Sequence, residues 1–517
     1  MTRRLTHTLT VGAGTLVSRL LGVVRDAALA WLLGGSGTAD ALTAALRLPY
    51  MVRRLFGEGT LSMSLTVACI RESLHADANR GQASALALAV TRKLTVWGGL
   101  LTLLLVLGAG GVMALTAPGL TVMVQEEAVF LFRICIPYVF FALLAAGNMA
   151  ALHSHERFLL PSLTPALFNC TMLLSAGLAV VTDAPAGVLL ACGVLCGGVL
   201  QWLIQIPAVR AERKAHGALL GGLEAQVGAV LRRLPAGILG AAVPQLAFLV
   251  ASTLASQLSA GHISALFYAE RLLEFPLGVL GAAVGIVAAP RLAVLASSTS
   301  SSSSEHPLAH ETGLAVALAL GLTLPAAAGL MAVAVPLVAL VLGHGAFDSA
   351  AVTRTALALC AYAPGLPAYA LSRPLLAACH ALEDTRTPLF AAVPSLLLTA
   401  FAGYALMQLP GDWGQLGPPL GVTLGLWCNA VLLWLGVRHA VLFTVPCRSV
   451  LVQLFGTACT FCTAQFVVTS CASHNLSHVT TLALAVPLGA LVYGLVFALC
   501  SRQHLPARKD RRTARRG

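Results

Sequence analysis

Charge is what this sequence has least of. Only 10% of its 517 residues are Asp, Glu, Lys or Arg, against roughly 25% in an ordinary soluble domain. A soluble enzyme of this length needs far more polar surface, so that class is excluded. Lysine is scarcer still: Lys93, Lys214 and Lys509 are the only three among 32 basic residues. No glycine-rich loop ends in Lys-Ser/Thr, which argues against ATP as the driver of any transport. The 14 His show no HExxH-like spacing, and the 13 Cys lie mostly inside apolar runs, as at Cys192 and Cys196 or Cys459 and Cys462. With no His or acid on the same face, these cysteines read as small packing residues and not as metal ligands. Clustered carboxylates, as a transferase or phosphatase acting on a lipid would need, are missing too. The one adjacent acidic pair in the second half, Glu383-Asp384, is expected to cap the end of a helix. The chain is therefore expected to hold no metal and no cofactor, and not to be an enzyme.

What is there is hydrophobic residue, 58% of the chain, at a mean hydropathy of +0.85. Apolar segments fall at about 8–33, 40–70, 88–116, 122–152, 160–182, 186–208, 235–259, 262–295, 308–343, 349–380, 388–408, 417–437, 448–470 and 479–500. At about 20 residues per membrane crossing, these make roughly fourteen candidate spans. The first is interrupted by Arg19 and Arg25 and lacks a small-residue cleavage site, so it reads as a span and not as a removable signal. Loops after even-numbered spans carry Arg71, Arg80, Arg157, Arg210, Lys214, Arg291, Arg386 and Arg438. Loops after most odd-numbered spans, among them the TAPG, TDAP and GHGAFDS stretches, carry no Lys or Arg. The bias places both termini in the cytoplasm, which an even number of crossings also requires. The basic tail at 501–517 then suits anionic lipid at a membrane surface, and not nucleic acid.

An internal repeat organises the chain. Adding 227 to a position carries Pro49 to Pro276, Pro137 to Pro364, Pro161 to Pro388, Gly34 to Gly261 and His153 to His380. Spans 1–6 (residues 1–208) and 7–12 (235–440) are therefore expected to be two pseudo-twofold-related six-helix lobes of an all-α integral membrane protein. Two related halves around a central cavity is a transporter architecture. Residues 209–234 place Val227, Val230 and Leu231 on one face and Arg232 and Arg233 elsewhere, as an amphipathic cytoplasmic linker helix would. The serine tract at 297–304 reads as a flexible loop. Spans 13 and 14, within 446–500, stand outside the duplication.

Against this apolar background, charges inside spans are conspicuous, since each costs about 2.5–3.5 kcal/mol at mid-membrane on insertion scales. Span 1 holds Arg19, Arg25 and Asp26; span 2 holds Asp40, Arg47, Arg53, Arg54 and Glu58; span 8 holds Glu270, Arg271 and Glu274. Arg19, Arg25, Arg53 and Arg271 lie well inside their spans and have too few acids to neutralise them all. A shared watery cavity accounts for them. Pro49 and Pro276 free backbone groups at matching places in spans 2 and 8, and Gly22 lies between the span 1 arginines; all three are candidate hinges. Arginine's planar fork suits a phosphate or pyrophosphate.

Ser18-Arg19-Leu20-Leu21-Gly22 with Arg25-Asp26, Thr38-Ala39-Asp40, Leu48-Pro49 through Arg53-Arg54-Leu55-Phe56 to Glu58-Gly59, and Glu270-Arg271-Leu272-Leu273-Glu274-Phe275-Pro276 resemble the MurJ/MviN family. These are lipid II flippases of the multidrug/oligosaccharidyl-lipid/polysaccharide exporter superfamily. Gly343 to Phe347 resembles the family motif after span 9. The resemblance covers nearly all of residues 1–500. It implies a bacterial inner-membrane carrier that moves lipid II, the polyprenyl-pyrophosphate-linked peptidoglycan precursor, outward by alternating access. Arg19, Arg25, Arg53 and Arg271 would line the cavity and bind substrate with Glu274, Asp40 would be an essential acid at the outer gate, and spans 13 and 14 would hold the lipid tail. Membrane lipids and cell-wall synthesis proteins are further candidate partners. A polysaccharide-lipid or drug exporter of the same superfamily is the alternative, although a carrier of cationic drugs favours acids in its cavity. One departure stands out: residues 235–259 contain no Asp or Glu, where some members of the family hold sodium.

Overall fold

A computed structural model describes residues 2–57, 65, 80–155, 157–182, 184–216, 224–278, 305–382, 384, 386–440, 443 and 447–502. Glu58, the serine tract and the basic tail lie outside the described residues. Among the described residues there is helix and no strand, and every apolar segment picked out by the sequence contains helix. Nine helical stretches among them are long and apolar enough to cross a bilayer, from Ala85–Leu107 to His478–Cys500. The chain is a multi-pass membrane protein. Its exposed side chains agree: Trp97, Leu107, Phe401 and Phe466 are each about 70% exposed, an arrangement that is stable against lipid and not against water.

The chain forms two compact units. The first comprises Met1–Tyr268, Val341–Thr355 and Leu396–Val422, the second Ala269–Leu340, Ala356–Ser395 and Thr423–Gly517. In the first, the 32-residue helix Thr2–Leu33 lies along Leu159–Val181, which in turn packs on Ala186–Leu203. Gly37–Val52 packs on Val122–Cys135, and Arg80–Leu107 on Tyr138–Ser154. The described parts of the 209–234 segment belong to two helices, Ile206–His216 and Glu224–Ala255, and the second runs unbroken into span 7. Val227 and Val230 are buried against Leu86, Val90 and Ala151, with Leu231 packed beside them. The apolar face seen in the sequence is thus spent on protein.

In the second unit the last two helices, Cys447–Ser473 and His478–Arg502, pack on each other and against Glu305–Ala332. Polar pins cross that contact: Gln453 Nε2 donates to the Ala317 carbonyl at 3.1 Å and the Tyr493 hydroxyl to the Gly321 carbonyl at 2.6 Å. Asp384 has two roles between helices. Its backbone N–H donates to the Cys379 carbonyl, closing helix Leu366–Ala381. Its carboxylate accepts from the N–H groups of Arg386 and Thr387, capping the start of the next helix, Arg386–Met407.

The prolines of the repeat fall at matching structural points. Pro137 lies in the break between Val122–Cys135 and Tyr138–Ser154, and Pro364 in the single 3₁₀ turn between Ser349–Tyr362 and Leu366–Ala381. Pro161 and Pro388 are each the third residue of their helices, where a missing N–H removes no intrahelical bond. Gly34 and Gly261 sit just before a helix in each half with φ of +60° and +89°. That left-handed backbone is open to glycine at little cost.

Candidate functional site

The site grows from two helices of the first unit. Pro49 lies inside Gly37–Val52, and the helix does not close normally after it: Arg53–Gly57 form a π turn. Such bulges re-aim side chains and often mark functional positions. Arg47 and Arg54, seven residues apart and so on one face of a helix, both reach the Glu224–Ala255 helix. Arg47 Nη2 donates to the Phe248 carbonyl at 2.6 Å and Arg54 Nη1 to Gln245 Oε1 at 3.1 Å. Arg53 points elsewhere. Its guanidinium carbon lies 5.6 Å from the Tyr50 ring centre and 5.5 Å from that of Phe168.

Arg25 comes to the same two rings from helix Thr2–Leu33, 5.9 Å from each. Tyr50 and Phe168 meet edge to face at 6.1 Å, so one aromatic pair is shared by two cations. A cation over a ring face gains more when water is excluded, and Arg25 is only 4% exposed. Its remaining needs are met locally. Nε and Nη2 donate to Asp26 Oδ1, and Nη1 donates to Asn169 Oδ1 at 2.8 Å. Asn169 uses its other end to donate to the Ser18 carbonyl at 2.8 Å. One amide therefore ties helix Leu159–Val181 to helix 1 on either side of Gly22, through which helix 1 is continuous.

Arg19 stands apart in this group. It is half-buried, and makes no hydrogen bond or ion pair with any described residue. Ser18, next to it, is held by Asn169, so its place on the helix is fixed while its charge is left for something else. Asn169, Tyr50 and Phe168 were not singled out by sequence. A lone amide and two aromatics 118 positions apart carry no spacing signal; the only hint is an Asn in an otherwise apolar run.

Asp40 occupies a different place. It is 2% exposed, and its two carboxylate oxygens accept from the backbone N–H groups of Gly261 at 2.6 Å and Ser264 at 2.8 Å. Those are the first turn of the helix at 262–278, whose orphan donors and positive dipole end favour an anion. Around this clasp three loops close together. The Ala346 N–H donates to the Trp31 carbonyl at 2.9 Å, Arg354 Nη1 donates to the Ala260 carbonyl at 2.8 Å, and Phe347 stands edge-on to Tyr268.

The second unit holds Arg271 and Glu274, 3.5 Å apart on successive turns of the 262–278 helix and both partly buried. Pro276 lies in the same helix, two residues from its last described position. Among the described residues no group of three or more His, Cys, Asp or Glu is placed to hold a metal ion. Residues of the first unit thus bring Arg25, Asp26 and Arg53 together on one aromatic pair with Arg19 alongside, and set Asp40 apart at a loop junction.

A family model described as lipid II flippase MurJ matches residues 29–498. The chain belongs to the MurJ family. Among relatives, the lipid II flippase MurJ of Burkholderia cenocepacia is 30% identical over 509 residues, covering 95% of this chain and 96% of its own. A probable lipid II flippase MurJ of Bdellovibrio bacteriovorus is 33% identical over 426 residues, covering 82% and 80%. A solved MurJ structure in an inward closed conformation is similar at a TM-score of 0.75 and 22% identity, over 96% of this chain and 99% of that one. An inward-facing multidrug MATE transporter matches at 0.67 and 14%, over 81% and 94%. The fold is thus common to MurJ and MATE proteins, and sequence assigns the chain to the MurJ branch.

Proposed function

We propose that this chain carries lipid II from the cytoplasmic to the periplasmic leaflet of a bacterial inner membrane by alternating access, as a carrier and not as an enzyme. The reading takes residues 1–208 and 235–440 as the two moving lobes, both termini as cytoplasmic, and 446–500 as the holder of the polyprenyl tail. One observation supports it above the rest: Arg25 and Arg53 share a buried aromatic pair while Arg19, on the same helix as Arg25, has no protein partner among the described residues. Cations held by ring faces keep positive charge available for an incoming anion, which a carboxylate partner would have cancelled. A pyrophosphate is the anion that matches several forked donors. A carrier of cationic drugs on the same fold has no use for that arrangement. Arg271, loosely paired with Glu274, is the second half's contribution, and cell-wall synthesis proteins are candidate partners.

Complementation in cells depleted of their own lipid II flippase tests the reading, with membrane levels checked by blot. Arg271→Ala loses rescue yet reaches the membrane, and Arg271→Lys is badly impaired because it keeps the charge and loses the fork. Arg92→Ala, at an exposed position, rescues normally. Normal rescue by Arg271→Ala, or its disappearance from the membrane, removes the substrate role.

A further inference from the structure

Away from the arginine site, a cleft of about 390 Å³ opens on the outside of the first unit, between helices Ala109–Thr116 and Val122–Cys135. Its surroundings are apolar and bare: Leu115 is 77% exposed, Val122 74% and Phe130 53%. Yet Gln125, Glu126 and Arg133 also line it. Glu126 and Arg133 are both exposed, and neither makes a hydrogen bond or ion pair with a described residue. Seven residues apart, they stand on one face of the helix, about 10.5 Å along its axis. The reading above assigns neither of them a role.

Depth decides what such a pair meets. The stretch Val122–Ser154 has 33 residues, about 50 Å of helix, against about 30 Å of hydrocarbon. The excess carries the first turns into the headgroup layer. Glu126 then lies among headgroups and Arg133 near the hydrocarbon border. Side chains on a helix lean toward its N-terminus, so Arg133 reaches back toward the headgroups while its stem stays in lipid. From water inward the cleft presents an anion and then a cation. A phospholipid with an amine headgroup presents a cation and then a phosphate. Further in, the neighbouring helix exposes Leu103, Leu104 and Leu107, a surface suited to acyl chains. Gly110 keeps the entrance clear, since a Cβ there would meet nothing within 4 Å.

We propose that this cleft is a binding site for a zwitterionic, amine-bearing phospholipid, phosphatidylethanolamine, with the ammonium on Glu126 and the phosphate on Arg133. The site is separate from any transported substrate, so it stands or falls without the transport reading. Native mass spectrometry of the full chain released from bilayers of equal phosphatidylethanolamine and phosphatidylglycerol measures it. Wild type retains the amine lipid about fivefold over the glycerol lipid, as expected of one partly desolvated charge pair. Glu126→Gln abolishes the preference but keeps total lipid. Arg133→Gln lowers retention of both lipids about fivefold. Gly110→Leu fills the entrance, keeps both charges and also lowers both. All three positions are open, so thermal midpoints stay at the wild-type value. Equal retention of the two lipids by wild type, or an unchanged preference in Glu126→Gln, overturns the proposal.

Discussion

The clasp between Asp40 and the helix at 262–278 sets how firmly one end of the first unit stays shut. Two backbone N–H groups donate to its carboxylate, at 2.6 and 2.8 Å, and the helix terminus adds its dipole. Hydrogen bonds to a charged group contribute about 1.5–3 kcal/mol each, and the dipole about 0.3–1 kcal/mol. Asp40→Asn keeps one acceptor oxygen, loses the other and loses the charge, so it weakens the closed arrangement by about 2–3 kcal/mol. That multiplies the open population about 30- to 150-fold. A reporter sits within the clasp: Ser264 is 1% exposed, and Ser264→Cys keeps the backbone N–H that Asp40 uses. Maleimide labelling of that cysteine, followed by mass shift, should be slow with Asp40 present and rise by that factor with Asp40→Asn. Asp40→Ala should raise it further. Labelling that is indifferent to both substitutions would show that the loops are held by something else, and the hydrogen-bond argument would fail.

Arg25 and Arg19 should separate sharply. Arg25→Ala leaves Asp26 buried without its partner, costing about 3–5 kcal/mol, and should lower the thermal midpoint of the detergent-solubilised protein. Arg19→Ala should leave that midpoint alone and abolish rescue in the complementation assay. Gly34→Ala puts a side chain on a left-handed backbone and against the Ala346 carbonyl; a loss of about 2 kcal/mol or more in the same melt is expected. Asp384→Ala should cost about 1 kcal/mol and Asp384→Asn almost nothing, as for other helix caps. The Thr387 side-chain hydrogen bond, the Thr387 and Arg386 backbone N–H groups and the Arg386 charge hold the Asp384 carboxyl below the usual carboxylate range. Its contribution is therefore full at neutral pH and lost as pH falls through that lowered value, so wild type and Asp384→Ala should converge in acid.

The sequence was informative where a residue type imposes backbone geometry. Three proline pairs and one glycine pair at a shift of 227 mark two helix breaks, two helix starts and two left-handed junctions, because proline's fixed ring and glycine's missing side chain act locally. The cations were visible for a different reason: charge in an apolar run is costly, so its presence needs an explanation. How those cations divide was not visible. Arg47, Arg53 and Arg54 look alike in the sequence, yet two fasten a helix and one faces the rings, and the π turn that separates them has no residue signature beyond the proline before it. Asn169 was hidden altogether, since its importance lies in what it touches across 144 and 151 positions. The acidic pair at 383–384 shows the same limit: a capping residue was expected, but which helix Asp384's carboxylate caps depended on a turn that spacing does not record.

The π turn at Arg53–Gly57 also amounts to one residue more than an α-helical path needs. Deleting a single residue there would let the chain rewind as ordinary α-helix, turning everything downstream by about 100° relative to Tyr50 and everything before it. Replacement of a side chain in this turn changes one contact; loss of one position changes the facing of a whole segment. The turn is therefore a place where the chain length is fixed more tightly than its composition, and a lineage that shortens it must rebuild the cation site from a different register.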